Sequence, residues 1–251
     1  MIFDGPILDK IKINFGEETD FSTYPFSLDI IRNLKEIQFR KQITFLVGEN
    51  GTGKSTILEA LAMKVGLGRE GGSKNINFIT SDEKFSCQIQ NFSNKMSLSW
   101  RRMPKDAYFF RAESFYSLAN KIDEIAKVDI RMYNSYGGKS LHEQSHGESF
   151  LTFFKNRIGK GGFYIFDEPE AALSPKRQLA LLVLLRELCK NRETQIIIST
   201  HSPILLSFPD SEIYSCDNKK FKLINYVDTE HYKITKDFLN NPQQFFKHLF
   251  E

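Results

Sequence analysis

The stretch Gly48-Glu49-Asn50-Gly51-Thr52-Gly53-Lys54-Ser55 has the spelling G-x-x-x-x-G-K-S, and it decides the fold class. An apolar, β-rich run at residues 43–47 precedes it, and a helical pattern at residues 56–62 follows it. A strand, a glycine-rich turn and a helix in this order build a phosphate-binding loop. Glycines let backbone N–H groups surround a phosphate, and the N-terminus of the helix adds a favourable dipole. The stretch therefore predicts that the chain binds a nucleoside triphosphate.

Individual side chains of this loop have predicted roles. We expect the Lys54 ammonium to contact the β- and γ-phosphates and the Ser55 hydroxyl to ligate Mg²⁺. The complete set of predicted nucleotide-binding residues is Gly48, Glu49, Asn50, Gly51, Thr52, Gly53, Lys54, Ser55 and Thr56.

The composition is that of an ordinary soluble protein. With 251 residues, 41% of them hydrophobic, the chain can bury a sizeable core as a single domain, residues 1–251. A formal net charge of +3 is too small to indicate a nucleic-acid partner by itself. Three scattered cysteines predict neither a zinc site nor a disulfide framework. No signal peptide or membrane-spanning run is recognisable, so we expect a cytoplasmic protein that does not partner a membrane.

The pattern along the chain predicts an α/β fold with a mainly parallel central sheet, an antiparallel β portion and helices on both sides. Strands are predicted at residues 11–15, 43–47, 107–111, 163–166 and 195–199, an antiparallel meander at 76–80, 85–90 and 96–100, and a hairpin at 212–215 and 221–226. Helices are predicted at residues 113–126, 147–158 and 175–189, and from residue 230 to the end with a break at Pro242.

A second motif is the apolar run at residues 163–166, which ends in the carboxylates of Asp167 and Glu168. It predicts a buried strand whose C-terminal end lies at the usual ligand-binding edge of a parallel sheet. Because a phosphate loop is also present, we expect Asp167 to hold Mg²⁺ through water. Glu168 is then the predicted catalytic residue that polarises the water attacking the γ-phosphate.

A third motif is the buried strand that leads into Ser199-Thr200-His201. A lone histidine at a strand end is more often structural. Here the strand follows the Asp-Glu strand, so we predict that His201 donates a hydrogen bond to the γ-phosphate and belongs to the catalytic set.

Ser145-His146-Gly147-Glu148 stands at the head of a predicted helix and completes an ordered set of motifs. The order is the phosphate loop, an S-x-G-[QE] signature, the apolar-Asp-Glu strand and the strand ending in Thr-His. In this order the chain resembles the ATP-binding-cassette (ABC) ATPases. Within that class, it resembles the stand-alone bacterial AAA-family ATPases related to the SMC/RecF branch by its spelling at residues 110–115, 140–148, 167–175 and 228–232.

The resemblance implies a mechanism that no single motif shows. In ABC ATPases two protomers face head to tail and trap two ATP molecules, each between the phosphate loop of one chain and the signature of the other. The resemblance therefore implies ATP and Mg²⁺ as ligands, a second copy of this chain as a partner, and a signature-bearing helical lobe at about residues 112–160. The signature residues acting in trans are Ser145, His146, Gly147 and Glu148, and Ser174 lies in the loop that would cross the dimer interface.

Several assignments stay open on the sequence. His146 stands where glycine is commoner, and it either adds a donor to phosphate or caps its helix. Arg111 and Glu113 either reach the nucleotide or form a buried ion pair at a strand end. Gln88 and Gln90, candidates for a metal-contacting glutamine, are expected to face solvent within the meander. Likewise, an aromatic residue near the N-terminus, Tyr24 or Phe26, stacks on adenine or belongs to the core.

Three functions compete on this basis. The first is an ABC-type ATPase whose ATP-gated dimerisation works with a separate partner, a protein or a nucleic acid, in genome maintenance or phage defence. The second is the nucleotide-binding subunit of a membrane transporter, and the third is a DNA-binding repair ATPase. Hydrolysis of ATP to ADP and phosphate is common to all three.

Overall fold

A computed structural model describes residues 5–73, 76–77, 83–143, 146–158 and 161–250. The strands are β1 (Leu8–Ile13), β2 (Glu36–Gln38), β3 (Ile43–Val47), β4 (Gly72–Ser73), β5 (Ile76–Asn77), β6 (Met96–Trp100), β7 (Ala107–Arg111), β8 (Gly162–Asp167), β9 (Thr194–Ser199), β10 (Glu212–Ser215) and β11 (Lys222–Ile224). The helices are α1 (Asp29–Asn33), α2 (Lys54–Val65), α3 (Glu83–Lys95), α4 (Phe115–Ala126), α5 (His146–Arg157), α6 (Pro175–Cys189), α7 (Pro203–Leu206), α8 (Glu230–Asn240) and α9 (Pro242–Phe250).

Eight strands form the central sheet, in the order β11-β10-β3-β9-β8-β7-β4-β5. The strands from β10 to β7 are parallel, and β11, β4 and β5 add antiparallel edges. A second, antiparallel sheet has the order β2-β1-β6. In the parallel portion β3, β9 and β8 are neighbours, so the segments that follow these strands meet at one edge of the sheet. These are the segments that carry the predicted motifs.

Both faces of the central sheet are covered, which explains why its inner strands are apolar without a break. In β8, Phe163 and Ile165 face a core that includes α2 and the small sheet, whereas Tyr164 and Phe166 face the core on the other side. The second core contains a cluster of phenylalanine rings from β7, β8, α4 and α5. Helices thus lie on both sides of a mainly parallel sheet, as predicted.

The predicted antiparallel meander is wrong. Residues 85–90 belong to helix α3, and β6 pairs with β1 instead. Phe85, Ile89 and Phe92 recur at helical spacing, and the last two are fully buried against α2 and the small sheet. Phe85, Cys87 and Ile89 alternate with polar residues as in a strand. The helical spacing of Phe85, Ile89 and Phe92 covers a longer stretch, and this segment forms a helix. Of the strand predicted at residues 76–80, β5 covers the first two, and the rest lie outside the described residues.

The other predicted elements agree with the structure within a few residues. The strand predicted at residues 11–15 begins earlier, as β1. Helix α6 has the predicted bounds, with Pro175 in its first turn. The hairpin of β10 and β11 and the break between α8 and α9 at Pro242 are also confirmed.

Candidate nucleotide-binding site

The loop between β3 and α2 has a backbone that requires glycine. Gly48, Gly51 and Gly53 have φ of 153°, 78° and 100°. A Cβ on Gly53 would lie 2.9 Å from Ile30 Cγ2, and one on Gly48 would lie 2.9 Å from Asp217 Oδ1. Side chains on these residues would therefore disturb the turn, which supports the predicted cradle for a phosphate.

Lys54 begins α2, and its side chain is almost fully buried. Its ammonium donates hydrogen bonds to two carbonyl oxygens of its own loop, that of Gly48 at 2.6 Å and that of Glu49 at 3.0 Å. Burial lowers the pKa of Lys54, and nearby acidic groups, Glu168 and Asp167 among them, oppose this shift. The positive charge thus lies at the loop, at the edge of the sheet where a phosphate group would bind.

Ser55 and Asp167 form the part of the site suited to a divalent cation. The Ser55 hydroxyl donates to Asp167 Oδ1 at 3.1 Å, and the Ser199 hydroxyl donates to the same oxygen. Burial raises the pKa of Asp167, and the bond from Ser199 is the largest of the opposing effects. A hydroxyl and a buried carboxylate are hard oxygen ligands of the kind that Mg²⁺ takes beside phosphate oxygens. These residues therefore fit the predicted ion.

Glu168 follows directly, with φ of 49° and ψ of 53°. Its backbone N–H donates to the Ser199 carbonyl at 3.1 Å, which holds it at the end of β9. Its Oε1 lies 3.4 Å from Nε2 of His201. The His201 ring holds the pKa of Glu168 below its usual range, so the carboxylate is ionised at neutral pH.

His201 is held on two sides. Its backbone N–H donates to Glu170 Oε1 at 2.6 Å, and its Nδ1 lies 2.8 Å from Nε2 of His231 in the first turn of α8. Desolvation raises the pKa of the half-buried Glu170 carboxyl, and the bond from His201 opposes this. The position of His201 thus depends on α8 as well as on its own strand.

Arg111 forms the ion pair that was one of its two interpretations, and its contact with the nucleotide stays a prediction. It pairs with Asp167 in the register of β7 and β8, and its Nε lies 3.5 Å from Asp167 Oδ2. Its guanidinium also pairs with Glu59 Oε1 and with Glu113 Oε2, each at 3.0 Å. Burial raises the pKa of Glu59 to about 7, against the opposing effect of Arg111. Arg111 is therefore part of a buried ion network that extends to the predicted metal ligand.

The two glutamines and the two N-terminal aromatic residues that stayed open on the sequence all lie within the described residues. Both glutamines lie on helix α3 and not in the predicted meander, where Gln90 is exposed and Gln88 is half-buried. Phe26 belongs to the core. The Tyr24 hydroxyl lies 2.9 Å from Thr56 Oγ1, and its ring stacks on Phe85.

The signature lies only partly within the described residues. Ser145 lies outside them, whereas His146 and Gly147 begin α5. Glu148 is exposed, and its Oε1 lies 3.8 Å from Arg177 Nη2 on α6. Ser174 is exposed at the N-cap of that helix.

Sequence reasoning missed three contributors to the site. Ser199 stands next to the Thr-His pair, and a hydroxyl at the end of a buried strand was a usable signal. Asp217 accepts from the Glu49 backbone N–H at 3.1 Å and braces the loop from the end of β10, which no local pattern indicated. His231 lies in the segment of residues 228–232, whose spelling supported the resemblance without suggesting a role.

Some general features are consistent with the composition. All three cysteines are free. Among the described residues, no three His, Cys, Asp or Glu side chains gather into a metal site. No helix in the described part of the chain combines the length and apolar character needed to cross a membrane.

Several proteins with related sequences are named as ATP-binding proteins. The tungstate uptake system ATP-binding protein TupC of Campylobacter jejuni is 25% identical over 85% of this chain and 69% of its own length. A "Putative ABC transporter ATP-binding protein" of Bacillus thuringiensis is 31% identical over 68% of this chain. The chain spans about a third, 32%, of the length of that relative.

The fold has counterparts among solved structures. The structure of cbiO1 from Clostridium perfringens, described as part of the ABC transporter complex cbiONQ, matches with a TM-score of 0.50 at 17% identity. The match covers 95% of this chain and 97% of that one. Together with the loop geometry and the order of the strands, these similarities show that the chain belongs to the ABC-type ATPases.

A narrower placement comes from one segment of the chain. Residues 149–207 match the family model described as "AAA domain, putative AbiEii toxin, Type IV TA system". This segment runs from α5 through the Asp-Glu strand to the end of α7. It confirms the resemblance to AAA-family proteins within the ABC-type ATPases.

Proposed function

We propose that this protein hydrolyses ATP and dimerises head to tail around two ATP molecules, and that it couples this cycle to a separate partner. The observation that carries the proposal is the convergence of Lys54, Asp167, Glu168 and His201 at the ends of β3, β8 and β9. Helix α5, whose first turn carries most of the signature, packs against α6 in the core opposite the one that contains α2. This separation supports a signature supplied by a second copy, from a helical lobe at about residues 112–160.

Each residue of the site has its own role in the proposed hydrolysis of ATP. Lys54 and the loop N–H groups hold the β- and γ-phosphates, and Ser55 and Asp167 hold Mg²⁺. When bound, the ion neutralises charge on the phosphate oxygens. Glu168 orients a water molecule and accepts its proton as the water oxygen attacks the γ-phosphorus. The bond between the γ-phosphorus and the bridging oxygen breaks, ADP leaves, and His201 donates a hydrogen bond to the transferred group.

The role of the signature can be tested with Ser145→Arg. A bulky cation at the head of α5 would block the anion site that this helix N-terminus offers to the ATP of the partner. We expect the monomer to bind ATP with unchanged affinity and the hydrolysis rate to fall by about 10²-fold. Calorimetry and phosphate release measure the two quantities. Ser207→Arg, at an exposed serine close to the start of β10, is the matched control. Loss of ATP binding by the Ser145→Arg monomer would contradict an action in trans.

Service as the nucleotide-binding subunit of a transporter is a second candidate function. The related sequences favour it, because they are ATP-binding proteins of uptake systems and transporters. The arrangement of Lys54, Asp167 and Glu168 suits this candidate equally well. Recovery of a membrane permease with the Glu168→Gln protein in ATP would select this candidate over the first.

A cavity supports a nucleic-acid partner, the third candidate. It has a volume of about 460 Å³ and lies beside the start of β3, at the opposite edge of the sheet from the phosphate loop. Segments distant in sequence supply its cationic lining, which consists of Arg40, Lys41, Arg186, Lys190 and Arg192. Asp210 is the acidic residue among the lining residues. A concentration of positive charge of this kind attracts the phosphates of a nucleic-acid backbone.

The double variant Lys41→Ala/Arg186→Ala tests this candidate. If the cavity contacts DNA, the variant loses two phosphate contacts. Because each contact contributes about 0.9 to the slope of log affinity against log salt concentration, the slope should become shallower by about 2. Fluorescence anisotropy with a labelled duplex measures it. The double variant Lys220→Ala/Lys222→Ala removes the same charge from another exposed region and serves as control. Equal slopes for both variants would refute contact at the cavity.

A further inference from the structure

His231 connects the C-terminal helices to the candidate catalytic centre. It lies in the first turn of α8, which the buried Thr229 caps by accepting a hydrogen bond from the Tyr232 N–H at 3.3 Å. The rings of Tyr226 and Tyr232 pack with their centroids 4.6 Å apart and hold the same turn. The half-buried His231 ring places Nε2 at 2.8 Å from Nδ1 of His201. One of these nitrogen atoms must donate and the other must accept.

The far ends of the two rings decide which nitrogen donates. On one side, Nε2 of His201 lies 3.4 Å from Oε1 of the Glu168 carboxyl group. On the other side lies Nδ1 of His231. Both outer nitrogens are buried and have no hydrogen-bond partner among the residues that the structure describes, but only Nε2 of His201 faces a carboxylate at ion-pair distance. The pair thus has a carboxylate within 3.4 Å of one end and a buried nitrogen without a hydrogen-bond partner at the other.

If His201 donated from Nδ1, its Nε2 would direct a lone pair at the Glu168 carboxylate, and His231 would bury an N–H at Nδ1 without an acceptor. Both consequences are unfavourable, because like charges repel and a buried unpaired donor costs about 1–3 kcal/mol. If His231 donates from Nε2, His201 carries its proton on Nε2 and directs it at Glu168. The unpartnered Nδ1 of His231 then needs no acceptor. The second arrangement is favoured at both ends.

We propose that His231 is a positioning residue that holds His201 as the Nε2–H tautomer, with this proton directed at Glu168 and at the place of the γ-phosphate. The proposal rests on the proposed function for its catalytic consequence. Its tautomer statement rests on the geometry alone. His231 thereby keeps the proton of His201 on Nε2, where it can be donated to the transferred phosphoryl group. His231 itself does not touch ATP.

The position of His231 suits a neutral donor. Burial lowers its pKa, as does His201, whereas Glu49 and Asp217 oppose the shift from the side of the phosphate loop. A place in the first turn of α8 acts in the same direction, since the positive end of the helix dipole disfavours an imidazolium. A neutral His231 protonated on Nε2 keeps its buried Nδ1 free of hydrogen.

The tautomer can be read directly from the full chain without nucleotide. Long-range ¹H–¹⁵N correlation spectra of ¹⁵N-histidine-labelled protein distinguish Nε2–H from Nδ1–H in each of the five histidines. We expect His201 in the Nε2–H form in the wild-type protein and a mixture of both forms in His231→Leu. An Nδ1–H form of His201 in the wild-type protein would overturn the proposal. This result is independent of any hydrolysis, so it stays informative even if the proposed function fails.

Kinetics test the consequence. We expect His231→Leu to lower kcat for ATP hydrolysis by about 3- to 10-fold with KM unchanged, the effect of one lost hydrogen bond. His231→Gln, which keeps an amide donor on the same helix, should recover most of the rate. His248→Leu, on the exposed face of α9, controls for loss of a histidine from the C-terminal helices. A His231→Leu rate within twofold of wild type, or a Gln variant as slow as the Leu variant, would refute the role. Melting temperatures and ATP affinities identify a variant that has merely unfolded.

Discussion

The Glu168→Gln protein is expected to bind ATP as the wild-type protein does and to hydrolyse it about 10²–10⁴-fold more slowly. Glutamine has nearly the same shape as glutamate, so the contacts around it persist. Its amide, however, cannot accept the proton of the attacking water. Because His201 lowers the pKa of Glu168, the wild-type side chain is already ionised at neutral pH, and the substitution removes a functioning carboxylate.

A block at this step should also change the assembly state. With bound ATP and no hydrolysis, the head-to-tail dimer should persist, and light scattering should report about twice the monomer mass only when ATP is present. Glu36→Gln, at an exposed glutamate on β2, is the matched control and should behave as wild type. Hydrolysis by Glu168→Gln at the wild-type rate would exclude Glu168 as the residue that activates water.

Lys54→Ala should abolish measurable ATP binding. Charge-assisted hydrogen bonds contribute about 1.5–3 kcal/mol each, and a lysine that contacts both the β- and γ-phosphates makes more than one of them. We therefore expect the Kd for ATP to rise by at least about 100-fold, which corresponds to roughly 2.7 kcal/mol. Calorimetric titration with MgATP measures this change directly.

The control for this substitution lies on the same helix. Lys64 is exposed in the last turn of α2, and Lys64→Ala removes one charge without touching the loop. Its affinity for ATP should stay within about twofold of wild type, as is usual for exposed positions. The fold should survive Lys54→Ala, because the Gly48 and Glu49 carbonyls that lose their donor can bind water instead. Retained ATP affinity in a folded Lys54→Ala protein would contradict the assigned site.

The buried ion network explains how Asp167 is tolerated in the protein interior. A buried carboxylate is unfavourable unless it is paired, and Arg111 lies 3.5 Å from it while also pairing with Glu59. Strand β7 therefore brings a compensating cation to the candidate metal site. Arg69 continues the network to Glu70 at 2.8 Å and stacks on the ring of Phe85, which links the site to α3.

Much of the site could be predicted because its functional groups belong to short, contiguous sequence motifs. Gly48 to Ser55 bind phosphate through their own backbone, and a carboxylate after four apolar residues must lie at a strand end. The prediction failed at residues 85–90, because a short stretch that alternates apolar and polar residues fits both a strand and one face of a helix. Burial of Ile89 and Phe92 against α2 and the small sheet decided in favour of the helix.

The sequence alone determined the phosphate loop, the Asp167-Glu168 strand end and the mainly parallel character of the sheet, because each depends on patterns among neighbouring residues in the chain. Tertiary structure decided that Arg111 compensates the charge of Asp167, that Asp217 braces the loop and that His231 supports His201. These contacts join residues 30 to 168 positions apart. Only the packing of β7, β10 and α8 around the sheet edge brings them within bonding distance, and no local pattern encodes such a meeting.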